Sequence, residues 1–173
     1  MRGLPSSLFC GIPTTKRMAD ISNTTQQIPL LTFRLAEQHY ALLIDNVIEV
    51  AGMVELIVAP DSPQEVLGFA NRHGEALPIL DLRKIFLQEA KPISLATTFI
   101  VVEADGQKCG LVTDEVLTVE YVNSDQIQRG QQKQHFINGM IQHEQHLIQM
   151  VSVTALINNF LNNDVIENRT KSI

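Results

Sequence analysis

The chain has 173 residues, 45% of them hydrophobic and 18% charged, with a formal net charge of −6 at pH 7. That balance is globular and excludes disorder throughout, and the negative charge argues against a nucleic-acid partner, whose binding draws on Lys and Arg to neutralise phosphates. Cys10 and Cys109 are the only cysteines, too few for a disulfide framework and without the paired spacing of a zinc site, so a reducing cytoplasm fits best.

Residues 1–27 contain one short apolar stretch at 8–11 and read as a mobile N-terminal extension, with Met18 as an alternative start. The most apolar segment that follows, "NVIEVAGMVELIVAP", is interrupted by Glu49 and Glu55. A membrane-crossing helix needs about 20 apolar residues, so no membrane insertion is expected.

From residue 30 onward the chain reads as strands. "LLTFRLAEQHYALLIDNVIEV" (30–50) is a strand, a short polar turn and a second strand. In "GFANRHGEALPILDL" (68–82), "GFAN" enters a turn at "RHG" and "EALPIL" returns, with Pro78 expected at an edge or bulge. Asp81 then caps a short helix whose apolar face holds Leu82, Ile85 and Phe86.

The same order recurs. "FIVVEADGQKCGLVTDEVLTV" (99–119) matches 30–50 at an offset of 69, placing Cys109 on Tyr40, Leu111 on Leu42 and Asp114 on Asp45. Its Asp-Gly is a strong hairpin signal. At an offset of 71, Gly139 falls on Gly68, Ile148 on Leu77 and Ser152 on Asp81, and both of the last pair are favoured helix caps. Two β subdomains of about 70 residues follow, each too small to bury much core alone. "VTALINNFLNN" adds an amphipathic helix that its Asn pairs should end early, and residues 164–173 read as a loose tail.

Enzyme signatures are scarce. The chain has no GxGxxG, no GxxxxGK[ST] and no GxSxG. Asp45 and Glu49 share a face in strand geometry while Asp114 and Glu115 point apart, which gives no acid–base dyad. "HEQH" sets His143 and His146 three apart, whereas a zinc helix needs them four apart. They read as turn histidines, Cys109 reads as a buried structural thiol, and the sequons at Asn23 and Asn168 carry meaning only on an exported chain.

Over residues 29–161 the motif order resembles the CheW-like family of chemotaxis coupling proteins. Its central pattern is Pro, then Gly-x-x-Asn-x-Arg-Gly, x-x-Pro and x-x-Asp-Leu; here Pro63, Gly68, Asn71, His73, Gly74, Pro78, Asp81 and Leu82 occupy the slots, and the arginine is missing. The resemblance implies an all-β fold of two intertwined SH3-like five-stranded β-barrel subdomains with short helices, including a C-terminal amphipathic one. The single domain would span 28–163, divided at about residue 90. It also implies a cytoplasmic, stand-alone, non-catalytic adaptor with no cofactor, which couples a chemoreceptor's cytoplasmic hairpin to the regulatory domain of the histidine kinase CheA. Val47 and Glu49, on one strand face with Ile48 on the other, become receptor-contact candidates, together with Asn71, Arg72, His73 and Gly74; the kinase contacts are not identified. His73 is shorter than the arginine it replaces and mostly neutral near pH 7. Arg72, one residue earlier, would point to the opposite face unless the turn bends the chain. The other readings are an interaction module of another two-component pathway and a small-ligand-binding β barrel, which would need convergent polar groups in a pocket.

Overall fold

The computed structural model describes residues 26–89, 91–130 and 136–162. Most of the expected N-terminal extension, with Cys10, Met18 and Asn23, lies outside the described residues, as do the tail from residue 164 and Asn168.

Twelve strands and two short α-helices follow one another in two matching series. The first runs β1 (Gln27–Leu35), β2 (Gln38–Leu43), β3 (Val47–Gly52), β4 (Leu56–Ile57), β5 (Val66–Arg72), β6 (Glu75–Asp81) and α1 (Leu82–Ile85). The second runs β7 (Thr98–Ala104), β8 (Gln107–Thr113), β9 (Glu115–Asn123), β10 (Ile127–Gln128), β11 (Ile137–His143), β12 (His146–Val151) and α2 (Val153–Ile157). Each series is thus a hairpin, a single strand, a two-residue strand, a second hairpin and a helical turn.

The local chemistry explains the breaks. Asp105 and Gly106, with φ of +53° and +76°, make the tight turn between β7 and β8, because a two-residue turn with both φ positive matches the twist of its strands. The Asp81 carboxylate accepts from Arg83 N at the start of α1, and Ser152 Oγ accepts from Ala155 N at the start of α2. Helix α2 stops at Ile157, before the first Asn pair, and continues as one π-helical segment, Asn158–Asn162.

The two halves do not form separate sheets. One sheet has the order β10-β11-β12-β2-β1-β9 and the other β3-β7-β8-β6-β5-β4. Each therefore takes four strands from one series and the leading hairpin from the other. The exchanged hairpins dock through short parallel seams, β2 on β12 and β8 on β6, and through antiparallel pairing of β1 with β9 and β7 with β3. Each sheet has five strands of six or more residues and a two-residue strand at one edge.

Each sheet encloses a core of its own. Leu30, Val122, Ile141, Ile148 and Met150 pack in the first, and Met53, Leu77, Ile79, Phe99 and Val112 in the second. A third and larger core, including Phe33, Tyr40, Leu80, Ile100, Leu111 and Leu156, joins the sheets and helices. Cys109 and Tyr40, superposed in the sequence repeat, both lie in this shared core. Its burial pushes the Cys109 thiol up to about 12, so it stays protonated near neutrality.

Pro78 lies on β6, which is flanked by β5 and β8. It precedes the first β8 contact, at Ile79, and the bulge expected there falls on β5 between Val66 and Gly68. A residue without an N–H is tolerated where only one side of its strand is laddered.

Candidate functional site

The six candidate residues converge only in part, and a β-bulge decides how. Val47 pairs with Val102, but Glu49 pairs with the adjacent Val101, so the register slips between them. Neighbouring residues on β7 face opposite sides. Val47 accordingly packs on the shared core, while Glu49 turns out toward β5 and β6. The expectation that Val47 and Glu49 share a face is overturned by this extra residue in β3, since a bulge interrupts strict alternation. Asp45 does not lie in a strand either; it sits in a one-turn 3₁₀ helix, Ile44–Asn46. The exposed apolar residues of β3 are Ile48 and Val50, at 49% and 46% exposure.

At the other side of the site, β5 and β6 meet in a two-residue turn of His73 and Gly74, with φ of +52° and +83°. Glycine takes that conformation freely, and histidine is among the side chains enriched there. Asn71 is exposed and holds the turn, its Oδ1 accepting from Gly74 N at 3.2 Å. Asn71 and Gly74 shape the corner, whereas His73 lines the recess beside it.

Arg72 does not point away from this corner. Its guanidinium NH2 pairs with Glu49 Oε1, and Arg72, His73 and Glu49 line one recess of about 190 Å³. Strands β3 and β5 are four positions apart in their sheet, which in a flat sheet would separate them by roughly 19 Å. The ion pair therefore requires a strongly curled sheet. The rest of the recess comprises Ile48, Leu77, Val101 and a second ion pair, Glu75 with Lys108 at 3.5 Å. Arg72 Nε is buried without a hydrogen-bond partner, so the guanidinium is held through one end. Sequence reasoning missed Lys108, which carries no motif and meets Glu75 only because β8 inserts beside β6.

A buried charged network lies at the other end of β6 and β8 from the recess. Arg83, fully buried, donates Nε and NH2 to the two carboxylate oxygens of Asp81 at 2.8 and 2.9 Å, and NH1 to Asp114 Oδ1 at 3.4 Å. The Asp81 hydrogen bonds raise the Arg83 pKa and hold it charged against the cost of burial. Asp114 Oδ2 also accepts from Ala36 N at 2.7 Å. The network ties α1 to the β1–β2 turn and to the start of β9.

A second surface is apolar. Met53, Val54, Leu56, Val58, Leu67 and Leu95 line a groove of about 420 Å³ at the β4 edge. Ile57 and Val58 are each 70% exposed and Leu95 79%. Groove and recess share no lining residue. No helix among the described residues is long and apolar enough to cross a membrane.

Two joined β sheets with a charged corner recess and a separate apolar groove define an all-β interaction domain. The family model for the CheW-like domain matches residues 29–160, and the chain belongs to that family, whose members are chemotaxis coupling adaptors. It is 27% identical over 125 residues to the chemotaxis protein CheW of Treponema pallidum, covering 70% of this chain and 74% of that protein. Similarity to the CheW of Klebsiella aerogenes is 29% over 119 residues, 69% of this chain and 70% of that one. Among solved structures, the scaffolding protein TtCheW of Thermoanaerobacter tengcongensis superposes with a TM-score of 0.68 at 28% identity, over 74% of this chain and 90% of the other.

Proposed function

We propose that this chain is a cytoplasmic, non-catalytic adaptor that holds the helical hairpin of a chemoreceptor in its corner recess and the regulatory domain of the histidine kinase CheA on its apolar groove. The observation that carries the reading is the pairing of Glu49 with Arg72 in a recess that the exposed Ile48 also lines. An amphipathic helix presents apolar residues beside polar ones, and this corner offers both kinds of contact. Arg72 supplies the guanidinium that the turn residue His73 lacks. Val47 serves from within the core by fixing the bulge that turns Glu49 outward.

An adaptor needs two surfaces that can be occupied together. The groove answers for the kinase because a stable interface needs an apolar centre, and the exposed Val58 and Leu95 provide one away from the recess. Titration of the chain with a receptor cytoplasmic fragment and with the kinase regulatory domain tests this assignment. Leu95→Asp is expected to weaken kinase binding alone, and Glu49→Lys receptor binding alone. If either change weakens both contacts equally, or neither, the assignment of surfaces fails.

A further inference from the structure

The repeat relates the corner recess to a second place on the molecule. Arg72 and Glu75 close the β5–β6 hairpin, and His143 and His146 close the β11–β12 hairpin at the equivalent positions. Lys108 on β8 corresponds to His39 on β2. Three groups that carry fixed charge near neutrality in one sheet are thus replaced by three histidines in the other.

The contacts are replaced in kind. Where Lys108 pairs with Glu75, the rings of His39 and His146 meet edge to face with centroids 4.2 Å apart. Where Arg72 reaches Glu49, His143 Nδ1 stands 2.9 Å from Glu120 Oε2 on β9. Glu120, like Glu49, lies four strands from its partner across a curled sheet. Among the described residues no three metal-ligating side chains are grouped to hold an ion.

We propose that His39 and His146 form a proton-controlled catch on the seam between β2 and β12. That seam consists of three residue pairs, the first of which joins His39 to Ile148, and it is one of the contacts by which an exchanged hairpin is held. With both rings neutral the edge contact is favourable; with both protonated two cations face each other. His39 is also faced by Arg34 from β1, by Glu120 from β9 and by Glu37 from the β1–β2 turn. Burial, then His146 and Arg34, hold its pKa below the ordinary 6.5, and the two carboxylates only partly offset them.

The sign follows from linkage. A histidine whose folded pKa is lowered binds fewer protons than in the unfolded chain, so its contribution is intact above pH 6.5 and lost as pH falls below that value. The other sheet has the Glu75–Lys108 ion pair in place of the two rings. Mild acid therefore loosens the histidine-bearing sheet first.

The test is amide hydrogen exchange of the full chain at about pH 7.5 and about pH 5.5, corrected for intrinsic exchange, with the urea midpoint measured alongside. Exchange at β2 and β12 is expected to accelerate on acidification relative to β6 and β8. The double variant His39→Lys with His146→Glu, which copies the other sheet's ion pair, is expected to remove most of that difference. Should it fail to fold, His146→Gln alone should still reduce the difference, because the facing cation is gone. Equal acid sensitivity of both seams, or full sensitivity retained in the variants that fold, would overturn the proposal.

Discussion

Glu49 and Arg72 meet because a bulge rotates one residue out of register and a curled sheet brings a distant strand to it. Each is about one-third exposed or less than two-fifths so, with side-chain exposures of 37% and 26%. An exposed pair of this kind adds little to stability, about 0–1 kcal/mol, and its value lies in presenting a charged pair to a partner. Glu49→Lys should therefore leave the melting temperature nearly unchanged and weaken receptor-fragment binding by roughly tenfold or more, about 1.4 kcal/mol. His73→Arg should change that affinity by less than about threefold, as the recess already holds a guanidinium; a larger gain would show that His73 itself limits the contact. Gly68 is different in kind. It has φ +144°, and a Cβ there would lie 2.6 Å from the backbone oxygen of Ile57. Gly68→Ala should destabilise the chain by more than about 1 kcal/mol in urea unfolding, since strained backbone and a clash with another strand cannot relax separately.

The short helices show how much of an element is written locally. Asp81 and Ser152 were readable as caps because a side-chain oxygen before a helical apolar pattern has one use, and both accept from the expected first turn. Ser152→Ala should cost about 1 kcal/mol, measurable in the urea midpoint. The second duty of Asp81 was not readable. Its carboxylate also binds Arg83, which reaches Asp114, and nothing in the spacing of these residues says that a surface-type residue will be buried. Arg83→Met should destabilise by about 3–5 kcal/mol, because Asp81 would be left as a buried charge without its cation. The bulge in β3 escaped detection for a related reason. Alternation along "NVIEV" is equally consistent with a regular strand, and the slip arises from its pairing with β7. Site residues on turns, Asn71, His73 and Gly74, were legible from glycine and hairpin chemistry; Lys108, which reaches Glu75 because β8 joins the sheet beside β6, was not.

For the molecule as a whole, the repeat was legible and the exchange of hairpins was not derivable from it. Matching apolar positions report which residues face inward, but not which sheet a hairpin joins, and that choice is made by the seams β2–β12 and β6–β8. Because each sheet borrows a hairpin, fragments 28–90 and 91–163 should each remain unfolded alone and regain β-sheet circular dichroism when mixed. Independent folding of either fragment would contradict the shared core of Phe33, Tyr40, Ile100 and Leu111. The same architecture places the charged recess and the apolar groove on one sheet while keeping their lining residues separate. The most direct measurement is calorimetric titration of the full chain with a receptor cytoplasmic fragment in the presence and absence of saturating kinase regulatory domain. The account predicts that both partners bind, that each binds with the other in place, and that Glu49→Lys weakens only the receptor isotherm. Absence of binding to both partners, or competition between them for one surface, would contradict it.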